Sequence, residues 1–431
     1  MTAAREHPAR TTADRLTQFG QTAIALAIWG VSRIVVFRLW AANETFIDSD
    51  VRYYHWQLLR FGVQGALIEY PTPIAALLEL IRRLAPSGEQ GFVTGFAVVM
   101  VLLDLGVTAW LWLRHSRTAA IYWASFTAII GALVWFRIDL IPAAAVLVAM
   151  VYQLRRPMVA GIAVAVGAAT KLWPAMLIFP LFGRDPAAQR RTLGFGLSGV
   201  LLGLGSLLVV GWHRSVSPLH WQGDRGLQIE SIAASWPMMR RTFGPTYQYS
   251  VELSQYNAWE ITGPQVSTWL AVTDWLLVAC VGLAVLFGWL IGLGGIGLPG
   301  RSLPSQLDAQ QSAQRAHAVI LAELAIICAV IVANKTFSPQ YMIWLAGPLA
   351  VLVALPLPRR SRLAGLGLAI GGLIVAALTH LVFPLNYGGL ISGIPQAGAT
   401  WLLLARNASM LALTVSCLAM ALRASLRWQR T

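Results

Sequence analysis

The sequence predicts an all-α polytopic membrane protein, a single integral-membrane domain of about twelve transmembrane helices over residues 1–431. Three observations predict it. Hydrophobic residues make up 57% of the chain, charged residues only 12%, and the mean hydropathy is positive. The apolar runs repeatedly reach the ~20 residues that span a bilayer. The Lys and Arg gather in short loops and at helix ends, the distribution that sets membrane topology. That distribution also accounts for the formal charge of +14, so membrane lipids and not nucleic acid are the expected surroundings. Cys280, Cys328 and Cys417 lie inside apolar segments without metal-ligand spacing and read as small core residues.

Taken in order, residues 1–19 carry Arg5, Arg10 and Arg15 and read as a cytoplasmic tail. The first span leaves the membrane near residue 42. The next, 91–113, ends in Arg114-His115-Ser116-Arg117, an inner-loop signature, so 43–90 must be a long outer loop. Within it, 74–84 has an apolar pattern interrupted by Glu79, Arg82 and Arg83 and reads as an interfacial helix. Segments 118–136 and 139–154 form a hairpin returning to Arg155-Arg156.

Positive charge flanks both sides of 158–182, which resolves if the chain runs out to Thr170, turns at Lys171-Leu172-Trp173-Pro174 and returns as a short second half. Such a broken pair is tolerated where backbone lines a protein-buried or wet cavity. Residues 192–212 exit to a second outer loop, 213–264, and a span over 265–294 leads to a flexible cytoplasmic linker at 295–315. The chain leaves again at 317–333, shows NKTFSPQY (334–341) outside and re-enters to Arg359, Arg360 and Arg362. A last hairpin, 363–382 and 399–421, presents His380, Phe383 and Tyr387 outside and closes on Arg423, Arg427 and Arg430. Both termini then lie inside a plasma-membrane protein whose chemistry faces out.

On that topology Asp48, Asp50, Glu69, Arg137, Asp139, Lys171, Arg225, Glu230, Lys335 and His380 all fall near the outer face, from six segments of an otherwise oily chain. That convergence is the functional signal, since ionisable groups at membrane depth are functional candidates by default. Asp48-Ser49-Asp50 has the spacing of a metal-binding DxD. A single carboxylate there works equally well as a general base on an acceptor hydroxyl, and transfer from a lipid phosphate then needs cations for the developing charge. Arg137, Lys171, Arg225 and Lys335 are the outer-side cations; for any one of them, contact with lipid headgroups is the equal alternative.

SDV followed by Tyr53-Tyr54, EYP at 69–71, FRIDLIPA at 136–143, ATKLWP at 169–174, residues 223–231 and NKTFSPQYMIWL at 334–345 carry a resemblance over nearly the whole chain. Together they resemble the bacterial polyprenol-phosphate-mannose-dependent mannosyltransferases of the GT-C superfamily, which include actinobacterial enzymes building phosphatidylinositol mannosides and lipoarabinomannan. The resemblance implies a GT-C architecture with a long first outer loop, a polyprenyl-phosphate sugar donor, a glycolipid or glycan acceptor, and inverting transfer of a hexose, mannose foremost, with Asp50 as general base. It implies substrate contacts from Asp48, Tyr54, Glu69, Tyr70, Arg137, Asp139, Lys171, Arg225, Gln228, Glu230, Lys335, Gln340, Tyr341 and His380. No cofactor is implied; a divalent cation on the two aspartates stays the alternative.

Two departures bear on specificity. Gln340-Tyr341-Met342 follows Ser338-Pro339 where better-known relatives carry a His-containing pattern, and the more usual EYPP reads EYPTP here. The rival class is a transporter or lipid-carrier flippase, which should show repeated halves with matching broken helices. Only one interrupted pair is visible, and the polar groups crowd one face.

Overall fold

The computed structural model describes residues 12–43, 46–221, 225–245, 248–295 and 307–428. The tail before Thr12 and the centre of the 295–315 linker lie outside them. The chain divides into two units, Met1–Thr45 and Phe46–Thr431. The first contributes α1, Thr12–Asn43, with the apolar stretch Gly20–Ala42. Everything below concerns the second.

Among the described residues eight helices of the whole chain are long and apolar enough to cross a membrane, and the protein is a multi-pass membrane protein. After α1 they lie in α4 (Glu89–Arg114), α5 (Arg117–Ile130, continued as a 3-10 turn to Phe136), α9 (Pro186–Trp221), α11 (Val266–Phe287), α12 (Ala309–Ala333), α14 (Arg359–His380) and α16 (Ala397–Arg427). Three shorter apolar pieces join them: α6 (Leu140–Tyr152), α7 (Pro157–Thr170) and a segment over Pro339–Ala354 that contains α13 (Ile343–Ala354). α12 and α13 are apolar on all sides and buried along most of their length, as a helix must be when it occupies a bundle's centre. The three cysteines are free and buried.

Several departures from the expected elements have identifiable causes. The first outer loop is two helices, α2 (Ser49–Gly65) and α3 (Thr72–Leu84), and α3 is the short amphipathic piece expected there. The linker ends earlier than 315: Asp308 caps α12, its carboxylate accepting from Gln311 N at 2.7 Å while Gln311 Oε1 accepts from Asp308 N at 3.2 Å. This reciprocal box satisfies two donors that a helix start leaves orphaned. α9 runs on to Trp221 through a kink at Gly211, whose φ of +74° is open to a residue without Cβ. The fold is not purely helical either. Beyond α9 the second outer loop folds a small antiparallel sheet of order β1-β3-β2 (β1 Leu227–Gln228, β2 Ser250–Leu253, β3 Trp259–Thr262), with Leu227 opposite Ile261 and Val251 opposite the same residue. Ile229, Met238 of α10 (Ser235–Phe243), Ile261, Val382 and Leu403 give that loop its own apolar core against the α14–α16 connection.

α7 and α9 approach closely because glycines face each other's backbone: a Cβ on Gly161 would collide with the Arg191 carbonyl, and one on Gly194 with that of Met158. As the sequence predicts, α7 stops at Thr170, and a 3-10 turn (Trp173–Leu177) with α8 (Ile178–Leu181) forms the short return.

Candidate active site

A cavity of about 530 Å³ opens where the end of α7, the end of α12, the start of α13, the start of α2 and the β-loop meet. The basic clusters lie at the far ends of the same helices. From Arg315 in α12 to the cavity-lining Asn334 is 19 residues, roughly 28 Å of helix.

Asp50 lies in the first turn of α2 and lines this cavity. Its Oδ2 is 3.1 Å from Arg137 Nε, and the guanidinium is fixed in turn by Nη1 donating to the carbonyls of Ile47 (2.6 Å) and Phe136 (2.8 Å). The FRID turn between α5 and α6 thus clamps the outer loop just where the acid emerges. Asp48 takes a different direction. It occupies the N-cap position of α2, and residues two apart at a helix start do not face one way. Its carboxylate is bound by Arg52 (Nη2 2.8 Å, Nε 3.1 Å), which also reaches Glu89. Asp48 does not line the cavity.

Lys171 follows the last residue of α7 in extended backbone and reaches into the cavity wall. Its Nζ holds Asp139 at 2.8 and 3.1 Å and lies over the rings of Tyr341 (5.0 Å), Trp344 (5.4 Å) and Tyr70 (5.9 Å). Asp139, also bonded by Trp344 Nε1 at 2.6 Å, is buried behind this wall and does not line the cavity. The ammonium is therefore the group this pair presents. Trp173, Trp344 and Tyr341 stack at centroid distances of 4.6 and 4.2 Å, a continuous aromatic surface beside it.

Across the cavity, Arg225 lies over the Tyr256 ring at 5.6 Å and donates to its carbonyl at 3.4 Å, with Nε lacking a hydrogen-bond partner among the described residues. Gly223 and Asp224 just before it lie outside the described residues. Glu69 lines the wall, its carboxyl raised above the ordinary range by burial against the opposing pull of a Tyr53 hydrogen bond and the Arg225 charge. Tyr54 and Tyr70 pack edge to face at 6.0 Å. Arg214, brought round by the Gly211 kink, donates to the carbonyls of Ala66 and Leu67 (2.9 Å each) and Tyr70 (3.1 Å), so the strained turn at Leu67 (φ +54°) that carries Glu69 is held from α9.

Gln228 and Glu230 complete the wall from the β-loop. Gln228 N donates to the Lys335 carbonyl at 3.1 Å, which ties this loop to NKTFSPQY. Glu230 is fully buried; burial pushes its carboxyl up to about 7, partly offset by Arg406, whose Nη2 is 3.4 Å from Oε2, and by a Tyr387 hydrogen bond. Gln340 lines the wall too. Lys335 and His380 do not: the Lys335 Nζ points to Asp274 at 4.0 Å, and His380 Nδ1 is 2.9 Å from the Ile130 carbonyl, under Gly131 (φ +77°), where any Cβ would strike the imidazole. His380 is a helix-joint residue here.

The cavity is thus a membrane-protein pocket with one clamped carboxylate, two wall cations and an aromatic face. Glycosyltransferase family 87 matches over residues 70–295, more than half of the chain. The chain belongs to that family. Family 87 comprises GT-C type polyprenol-phosphate-mannose-dependent mannosyltransferases, so the expected family and enzyme class hold, and the chain is a membrane glycosyltransferase. No curated protein and no solved structure matches it.

Of the residues expected to contact substrate, the cavity collects Tyr54, Glu69, Tyr70, Arg137 and Lys171 from the first half of this glycosyltransferase. From the second half come Arg225, Gln228, Glu230, Gln340 and Tyr341, all beside Asp50. Sequence reading assigned no substrate role to Tyr53, Trp173, Trp344, Tyr256 and Phe383, which also line it. Trp344 follows Tyr341 by three residues at the helical spacing that puts both on one face, which is the signal that could have found it.

Proposed function

We propose that this enzyme transfers a hexose, mannose foremost, from a polyprenyl-phosphate donor to a glycolipid or glycan acceptor with inversion, on the outer face of the plasma membrane. The observation that carries the reading is the Asp50 carboxylate, held 3.1 Å from Arg137 at the wall of a cavity that Lys171 and Arg225 also line. The acceptor hydroxyl attacks the anomeric carbon and gives its proton to Asp50. The bond from that carbon to the phosphate oxygen breaks, and the electron pair leaves with the lipid phosphate. Cations on the leaving side stabilise the charge that develops. Arg225 suits this role best, since its Nε has no hydrogen-bond partner among the described residues, whereas Lys171 is already paired with Asp139. The stacked Trp173, Trp344 and Tyr341 give a sugar face or prenyl chain an apolar surface.

About twelve crossings, counting α6, α7, α13 and the short return through α8 beside the long helices, place the basic loops inside and the cavity outside. Single Cys residues at exposed positions of 43–90 and 213–264 should then react with an impermeant thiol reagent in intact cells. Labelling only after permeabilisation would contradict the orientation. For the chemistry, purified protein in lipid is incubated with a panel of polyprenyl-phosphate sugars and a membrane lipid extract, and a new glycolipid is the expected product.

A further inference from the structure

Two acceptor atoms on the cavity wall have no hydrogen-bond partner among the described residues. Gln228 is 6% exposed and its Oε1 accepts nothing; Glu230 is 0% exposed and its Oε1 accepts nothing. The backbone around them is pinned by Gln228 N to the Lys335 carbonyl (3.1 Å), Ile229 N to the Trp259 carbonyl (3.0 Å) and Ser231 N to the Gln228 carbonyl (3.0 Å). Arg406 holds the Glu230 carbonyl (2.9 Å) and approaches Oε2 (3.4 Å), and Asn407 Nδ2 holds the Ser231 carbonyl at 3.2 Å. A buried acceptor left unmade is unfavourable, and such atoms in native proteins call for a donor from outside the chain.

The missing partner has a definable chemistry. It must bring hydrogen-bond donors to two acceptor atoms on one cavity wall. A cation is a poor fit, because Gln228 is neutral and the Arg406 guanidinium lies beside Glu230. A cavity of about 530 Å³ falls among sites that enclose a drug-sized ligand, so it extends past the reacting atoms.

We propose that Gln228 and Glu230 form a hydroxyl-recognition subsite that reads ring hydroxyls of a sugar, and that they determine carbohydrate specificity at their part of the cavity wall. This rests on the glycosyl-transfer reading above and adds to it. The hydroxyls belong either to the transferred hexose or to the receiving glycan, and the experiment separates the two.

Full-length wild type, Gln228→Leu and Glu230→Gln are reconstituted in lipid. Each is assayed with polyprenyl-phosphate mannose and an alkyl α-mannoside acceptor, and with the single-deoxy analogues of either. Wild type should disfavour at least one deoxy analogue by roughly 10- to 100-fold in kcat/KM, as expected for a site whose polar groups lose a partner. Gln228→Leu, which keeps the shape without the acceptor atom, should erase most of that discrimination. Loss on the donor series assigns the subsite to the transferred hexose; loss on the acceptor series assigns it to the glycan.

Variants that discriminate as wild type does on both series overturn the proposal, because a structural role would change rate or stability without changing preference among hydroxyls. If wild type transfers nothing from the donor, the polyprenyl-phosphate-mannose reading fails by itself. The subsite is then read by saturation-transfer NMR with methyl α-mannoside and its deoxy analogues. Wild-type binding that Gln228→Leu weakens several-fold sustains the subsite, and equal or absent binding removes it.

Discussion

Two buried ion clusters sit near opposite ends of α12, and they differ in what surrounds their charges. At the basic end, Arg315 donates to Asp185 (2.7 Å) and to the Phe182 carbonyl (2.7 Å), and Asp185 also accepts from Ala188 N (2.9 Å). Arg191 donates to the carbonyls of Leu181 (3.0 Å) and Gln153 (2.6 Å). These charges are spent on joining the α6–α7 turn, the start of α9 and α12. At the cavity end the pairs are as short, and Glu69, Arg225, Gln228 and Glu230 each keep an atom without a partner among the described residues on the cavity wall; Glu323 Oε2, near Arg191, is also unpartnered but does not line the cavity. A network closed by backbone carbonyls fixes helices; one left open at a cavity is available to a ligand.

The comparison predicts that stability and turnover separate between the ends, and four measurements test it in descending order of effect. Arg315→Met leaves the buried Asp185 without its closest partner and should cost about 3–5 kcal/mol of stability, seen as a lower melting temperature in lipid or detergent, with turnover per folded molecule near wild type. A selective loss of turnover with melting unchanged would break the comparison.

Next is Glu230. Its carboxyl is raised to about 7 from an ordinary 4.5, so between those values the folded protein binds a proton that the unfolded chain releases. Stability contributed by the neutral group should be fully present below about pH 4.5 and be lost as pH rises through about 7, on the order of 3 kcal/mol in all. A melting-temperature series over this range should slope downward in wild type and lose that component in Glu230→Gln.

Third, Asp50→Asn keeps shape and removes the base. Single-turnover rate should fall roughly 100-fold or more, a barrier increase of about 2.7 kcal/mol, while donor binding and melting stay close to wild type. A rate near wild type would move the base to Glu69. The smallest effect is expected from Arg225→Gln, with donor affinity weaker by about tenfold, or about 1.4 kcal/mol, and the rate reduced beside it because the charge acts in both ground and transition states. Unchanged donor affinity would shift the phosphate role to Lys171.

How far the sequence reaches can be followed residue by residue. The break after Thr170 was legible because positive charge flanks both sides of one apolar run and Pro174 cannot continue a helix there. Asp50, Arg137, Lys171 and Glu230 were legible as charges in an oily chain. The start of α12 was legible in Asp308-x-x-Gln311 and was missed in favour of a linker, because the polar run around it outweighed the cap.

By itself the sequence determined the membrane class, the family, the helix breaks and which segments contribute polar groups, since hydropathy, charge bias and turn chemistry act over short stretches of chain. Only the tertiary structure decided which of those groups meet. Asp48 and Asp50 diverge because a helix starts between them. Asp139 disappears behind Lys171, and His380 is taken up by the Ile130 carbonyl, because partners 32 and 250 residues away arrive at the same point. Gln228 and Glu230 each keep an acceptor atom without a partner among the described residues, at a point where segments around 335 and 406 meet the loop. Those are distances between segments far apart in the chain, and local sequence carries no measure of them.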